Sequence, residues 1–496
     1  MLKRRISILI IIVSGLILAQ VLSTVFVYLS NINLYHTMEI LKNEGYLIVP
    51  NEHIMDHLHG FTPAFWGGLF FTLTLGSGLT LLSLLMGLIW MRLSKRKKIP
   101  IVILCFIQAL CVLEVNRNGL SIVASLFFII VPIGVFIIAT QLLARNTGIK
   151  NKIYPLIHII PLLILSVLWL SQASKDIFVD IRDNLLLSNS VGMNINSFYY
   201  EYTLYPAEAY KTLRQKRIKT CNLEEVGNPD VKKRLKRILV NFDYMEIKNN
   251  EYVDLQIIQQ GGELILQNTG KTILSTSAEE FFENSGNILD SFSMMCDRYG
   301  FLRQAVYVSL LFGFPLLLYI LIHISMSSVL SLLMNESISS YIVSVCGLIV
   351  GILMLLPIYR ANNIELDINN LSTMLQSENK LERIASLKFI VRNRLEITEY
   401  KAYKKTMKSS YVPETYWTVR ALGSSRSPQV FDDLVGFLNS PHDNVVCMAY
   451  HALGKRGDRK AVDVILKRIK MSNHWYRQWY AYRALRNLGW KQKASN

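Results

Sequence analysis

Seven runs of apolar residues punctuate the chain, each near the roughly 17–25 residues that a membrane-crossing helix needs. They are Ile6–Leu29, Phe65–Met91, Ile99–Val115, Leu120–Leu143, Ile153–Leu170, Ala305–Met326 and Ile338–Tyr359. The third is the shortest and carries Gln108. Trp66 and Trp90 bracket the second, as interfacial aromatics do. Between the fifth and sixth runs the pattern becomes amphipathic. Asp230 heads a predicted helix with Val231, Leu235, Ile238 and Leu239 on one face. Antiparallel strands are predicted at Tyr252–Ile258, Glu263–Gln267 and Lys271–Ser275, joined by turns at Gly261-Gly262 and Asn268-Thr269-Gly270. After the seventh run, helical periodicity continues to the end.

The predicted fold is a polytopic α-helical membrane protein of seven spans, with a small α+β extracytoplasmic domain and a C-terminal α-solenoid. Its parts are a five-helix membrane domain over residues 1–170, the α+β domain over 171–302, a two-helix hairpin over 303–359 and the solenoid over 360–496. The first run follows a basic start like a signal peptide, but it exceeds the usual ~7–15-residue apolar core and reads as a retained anchor.

Charge then supplies an orientation. Lys3, Arg4, Arg5, Arg92, Lys95, Arg96, Lys97, Lys98, Arg145, Lys150 and Lys152 all fall at one set of span ends, whereas the alternate loops hold Lys42 and Arg117. The positive-inside rule places the N-terminus in the cytoplasm, with residues 171–302 and the tail outside, as in a bacterial inner membrane. The turn Ser327–Ser337 has no Lys or Arg and adds nothing to this assignment. Of the formal net charge of +17, the tail from Tyr359 onward supplies most, with 24 basic against 12 acidic residues. Such a tail can dock a partner protein or rest on anionic lipid headgroups, and an outside location disfavours nucleic acid.

The tail also repeats. Arg420-Ala421-Leu422-Gly423 returns as His451-Ala452-Leu453-Gly454 and as Arg483-Ala484-Leu485-Arg486, and Lys388-Phe389-Ile390 is a weaker earlier copy 32 residues before the first. Repeats of this length bury their apolar faces by stacking. With Gly457-Asp458-Arg459-Lys460-Ala461-Val462 after the second copy, Glu378–Trp490 resembles short HEAT-like repeats of the phycobilisome-lyase type. That resemblance implies a protein-binding scaffold, with occasional enzymatic members. Arg456, Arg459, Lys460, Lys467 and Arg468 are the candidate partner contacts.

Catalytic signatures are sparse. His53, Asp56, His57 and His59 cluster in the first outer loop, and on a helix His53 and His57 share a face, as two metal ligands can. His53-Ile54-Met55-Asp56-His57 resembles an inverted zincin motif, but its Asp stands where that motif has Glu, which argues against protease chemistry. Gly270-Lys271-Thr272 lacks the earlier glycine of a phosphate-binding loop, since Ile265 holds that position. No CxxC, GxSxG or HExxH pattern occurs. His158 and His323 lie within apolar runs, where an ionisable group serves either a transport path or a bond between helices. Gly347 and Gly351 form a GxxxG helix-packing face. Tyr199, Tyr200, Tyr202, Tyr205 and Tyr210 suit a core, a membrane interface or an aromatic ligand, and Cys221 and Cys296 could pair in an oxidising compartment.

Three functions follow from these residues. The leading one is a non-catalytic, membrane-anchored scaffold or accessory subunit of a membrane complex, without a cofactor, docking a protein through its repeats. The alternatives are a transporter or channel subunit built on the helical bundle, and a metal-binding enzyme using His53–His59.

Overall fold

The computed structural model describes residues 2–92, 99–144, 160–172, 176–248 and 253–493. The first apolar run belongs to a longer helix, α1 (Leu2–Asn43), which continues for four turns past Leu29 because Asn31–Asn43 keeps an inward apolar face of Leu34, Met38 and Leu41. A short turn of helix, α2 (Glu52–Met55), follows. The second run is α3 (Phe61–Phe71), a π-turn at Thr72–Gly76, and α4 (Ser77–Arg92). Then come α5 (Ile99–Val115), α6 (Ile122–Ala144) and α7 (Ile160–Gln172). Among the described residues, five helices are long and apolar enough to cross a membrane: Arg5–Asn43, Phe61–Met91, Ile122–Ala144, Gly300–Leu330 and Glu336–Asn362. The other two predicted spans appear as shorter apolar helices, α5 and the described part of the fifth run, α7.

The bundle centre is more polar than its sequence suggests. Gln20 of α1 donates to Phe65 O at 2.8 Å and accepts from Thr72 Oγ1 at 2.8 Å. Gly68 lets α3 press onto α1, since a Cβ there would lie 2.9 Å from Thr24 N. Gln20 and Thr72 interrupt an apolar run in the sequence, yet they satisfy one another, as buried polar groups must.

Residues after α7 build the α+β region. Here α8 (Ile177–Ile181) runs through a π-turn, Arg182–Leu186, to α9 (Ser190–Tyr202) and α10 (Leu204–Tyr210). The sheet has five strands, β1 (Lys219–Asn222), β2 (Tyr244–Glu246), β3 (Leu255–Gln260), β4 (Glu263–Asn268) and β5 (Lys271–Ser277), in the order β2-β1-β3-β4-β5. The three predicted strands are present and antiparallel, but β1 and β2 join them in parallel, so the sheet is mixed. Both were missed because they are short and buried nearly throughout, leaving no alternation to detect. The basic helix is α11 (Pro229–Asn241), and its cap is Asn228 rather than Asp230: Asn228 Oδ1 accepts from Asp230 N at 2.9 Å and Val231 N at 3.2 Å. Proline at the first helical position makes Asn228 the residue beside the open amides. Leu235 and Leu239 of α11, with Phe281 and Phe292 of α12 (Ala278–Met295), cover Leu255, Ile257, Leu264 and Leu266 of the sheet. Cys221 and Cys296 are both free thiols.

The last two apolar runs form α13 (Gly300–Val308), a π-turn at Ser309–Gly313, α14 (Phe314–Leu330) and α15 (Glu336–Asn362). The π-turns of the second and sixth runs meet: Gly78 N donates to Ser309 Oγ at 3.0 Å, and the Ser309 hydroxyl donates to Thr74 O. Arg5 donates to Ser327 O at 2.8 Å, so the N-terminus and the α14–α15 turn share one end of the bundle. At the other end, Asn118 donates to Asp297 O at 2.8 Å, and the loop after α1 meets the α+β region and the tail.

The tail is a stack of helical hairpins: α16 (Leu371–Gln376), α17 (Lys380–Asn393), α18 (Tyr403–Met407), α19 (Val412–Leu422), α20 (Val430–Phe437), α21 (Asp443–Arg456), α22 (Ala461–Met471) and α23 (Trp475–Asn487). The repeated Ala-Leu-Gly triplet has a steric reason. Each Ala and Leu is fully buried, and the glycine admits the alanine of the next repeat. A Cβ on Gly423 would lie 2.9 Å from Ala452 Cα, and one on Gly454 would lie 2.8 Å from Ala484 Cα. The third copy has Arg486 at the glycine's place, and that side chain reaches Val240 O and Asn241 O instead. Gly454→Leu is therefore expected to lower stability by about 1–3 kcal/mol through overpacking against backbone, read from denaturant unfolding, whereas Gly436→Ala, whose added Cβ meets nothing within 4 Å, should change it little.

Candidate functional site

The inner helices of the stack, α17, α19, α21 and α23, are held by the chain's own segments along one side. At the first repeats, Lys388 pairs with Asp180 at 3.0 Å and Asp183 at 3.6 Å, and Trp417 Nε1 donates to Asp183 Oδ2 at 2.8 Å. Arg182 pairs with Asp183 at 2.7 Å and lies over the Tyr416 ring at 3.9 Å. In the middle, Asn196 and Asn444 share hydrogen bonds, joined by Tyr200. The predicted tyrosine cluster is thereby divided: Tyr199 and Tyr200 pack on Tyr476, and Tyr205 packs on Trp475. Tyr202 stays beside Trp66 and Phe198, and Tyr210 lies on Phe70 and Phe71 of the bundle.

Asn51 closes the last repeat. Its amide donates to Ile469 O, Lys470 O and Ser472 O at 2.9–3.2 Å, while Gln478 accepts from Asn51 N and donates to Asn51 Oδ1, each at 2.8 Å. Arg486 bonds Val240 O and Asn241 O and pairs with Asp243 at 2.7 Å. Burial raises the Asp243 carboxyl above its ordinary value, against the lowering pull of Arg486 and Lys219. The neighbouring Lys219 is pushed down to about 8 by burial, against the opposing pull of Asp243 and Asp254.

A second line of side chains is claimed only at its first position. Lys388, Arg420, His451 and Arg483 occupy equivalent positions of four successive repeats. Lys388 is answered by Asp180 and Asp183, but among the described residues Arg420, His451 and Arg483 make no ion pair. Arg420 lies 4.8 Å over the Trp417 ring, and Arg483 lies 5.9 Å over Trp479, whose ring also carries Arg217 at 4.2 Å. Burial, together with Arg483, Arg420 and Lys455, drives the His451 imidazole down to about 4. The unfolded chain takes up this proton near pH 6.5 and the folded chain near 4, so this contribution to stability is lost as pH falls across that window. His451→Gln is expected to flatten the stability profile between those values, as checked by unfolding at graded pH.

The sequence-predicted candidates are dispersed. His53 lies in α2, Asp56, His57 and His59 follow it, and the His59 ring packs tilted against Tyr35 with centroids 3.9 Å apart. Among the described residues, no group of three or more His, Cys, Asp or Glu side chains converges to hold a metal. His158 lies outside the described residues. His323 Nε2 is 3.1 Å from Ser344 Oγ, a bond between α14 and α15. Gly351 admits Leu165 of α7, and Gly347 faces Tyr319 of α14. Of the candidate partner cations, Arg456 is spent bridging repeats through Ser425 O and Ser427 O, and Arg468 through Leu438 O and Asn439. Arg459, Lys460 and Lys467 are exposed. The column of Arg420, His451 and Arg483 was within reach of sequence reasoning, because it is the first residue of each repeated tetrapeptide. The signal lay in the register, not in local charge.

Residues 408–486 match the family model for HEAT repeats. This part of the chain is a HEAT-repeat array. Neither curated proteins nor solved structures match the chain. The HEAT match begins after α17, yet α17 stacks on α19 as a further layer and contributes Lys388 to the column.

Proposed function

We propose that the chain is a non-catalytic, membrane-anchored scaffold subunit that docks a partner protein through its HEAT repeats on the extracytoplasmic side. The observation that carries this reading is an array fixed at both ends to the rest of the chain, through Asp180–Asp183 and through Asn51 with Arg486, while its outer helices and the column of Arg420, His451 and Arg483 remain available. Two docked ends turn the array into a platform of fixed orientation, and fixed orientation cuts the ordering cost of capturing a partner.

The contacts at the two bundle ends support the proposed sidedness. Arg5 meets the α14–α15 turn at one end, and the loop after α1, the α+β region and the repeats gather at the other. A bacterial inner membrane fits the basic residues at the first end.

Site-specific photo-crosslinking tests the docking. A crosslinker at Lys467 or Arg459 of the full-length protein in its native membrane should yield one discrete heavier species containing a second polypeptide. Crosslinks confined to lipid or to this chain itself would contradict the reading.

A further inference from the structure

We infer that the column Arg420–His451–Arg483 is the binding track for an extended acidic segment of a partner protein, with one carboxylate for each repeat. This deepens the scaffold reading and rests on it. The chain itself supplies the precedent. At the equivalent position of the preceding repeat, Lys388 is met by two carboxylates three residues apart, Asp180 at 3.0 Å and Asp183 at 3.6 Å. The first place on the track is thus taken in cis, and the same register then offers three further positions with no acid against them among the described residues.

The geometry suits carboxylates in a row. Inner helices of neighbouring repeats pack about 8–10 Å apart, and an extended segment in the polyproline II form advances about 3.1 Å per residue with every third side chain on one face. Every third residue of an extended segment therefore meets the next repeat. Trp417 lies between Lys388 at 5.2 Å and Arg420 at 4.8 Å, and Trp479 lies between Arg217 at 4.2 Å and Arg483 at 5.9 Å. The two arginines lie beside rings and make no ion pair among the described residues, which leaves their forked donors for bidentate carboxylate recognition. Exposed Lys455 and Arg394 extend the positive field along one side of the column. Like charges gathered without a counterion destabilise an empty site and strengthen an occupied one.

The test uses the full-length protein in mild detergent and a fluorescent 12-residue peptide with glutamate at every third position, set against its glutamine counterpart. The glutamate peptide is expected to bind, and the glutamine peptide to bind about tenfold or more weakly. In the Arg420→Gln/Arg483→Gln variant, affinity for the glutamate peptide should fall by a similar factor, and added salt should weaken the wild-type complex. The melting temperature of the variant should stay level or rise, since two cations without an ion-pair partner among the described residues are removed; a marked fall would assign these cations a structural role and overturn the inference. Equal binding of the two peptides, or no binding, overturns it as well. Binding to phosphatidylglycerol vesicles that the variant loses, without peptide binding, would instead assign the column to a lipid surface. If peptide binding fails while Lys467 still crosslinks to a second polypeptide, the scaffold reading stands and the acidic track falls.

Discussion

Glu414→Ala is expected to destabilise the repeat array by about 3–5 kcal/mol, because it strands a buried guanidinium. Glu414 is 2% exposed and receives Arg383 in a fork, Nε to Oε1 at 2.7 Å and Nη2 to Oε2 at 2.9 Å. Ser409 donates to the same carboxylate at 2.8 Å, and Arg383 also donates to Ser377 O at 2.7 Å and Glu378 O at 3.0 Å. One ion pair thus joins α17, α19 and the loops before each. Alanine leaves Arg383 with two carbonyls and no counter-charge. The double variant Arg383→Met/Glu414→Leu should recover most of the loss, since removing both charges removes the desolvation cost. Denaturant unfolding checks both, and a double variant no better than the single one would contradict the account.

The second large effect is expected at Asp183, which is 1% exposed. Its carboxylate accepts from Arg182 at 2.7 and 2.9 Å and from Trp417 Nε1 at 2.8 Å, and it lies 3.6 Å from Lys388. Asp183→Ala removes the shared acceptor of two cations and an indole, at a cost again of about 3–5 kcal/mol. The loss should be local at first: α17–α19 detach from Arg182–Leu186 while α21–α23 stay held by Asn51 and Arg486. Hydrogen exchange should show protection falling in α17 and α19 ahead of α23. Uniform loss along the array would mean that the two docked ends are not independent.

The two sites differ in how far they were legible. The Ala-Leu-Gly spacing announced a stacked array because the glycine is a local steric requirement of repeat on repeat, visible at Gly423 and Gly454. Apolar runs announced the bundle for the same reason: length and apolarity are local properties. What seats the array on the rest of the chain is not local. Lys388 and Asp180 are 208 residues apart, and Asn51 and Gln478 are 427 apart, with nothing in either neighbourhood to mark them as partners. Short β1 and β2 escaped because a buried strand end shows no alternation. The cations Arg456 and Arg468 drew attention by charge, yet they bridge repeats, whereas Arg420, His451 and Arg483 stand out once the repeats are laid in register.

The central claim is that this chain acts as a scaffold within an assembly, and the native mass of the protein tests it most directly. Extracted from its own membrane in mild detergent through an affinity tag, the full-length chain should run as a stoichiometric complex with a second polypeptide, larger than the 56.8 kDa chain by that partner's mass. A lone monomer or a homo-oligomer, with no second polypeptide at stoichiometric yield, would contradict it.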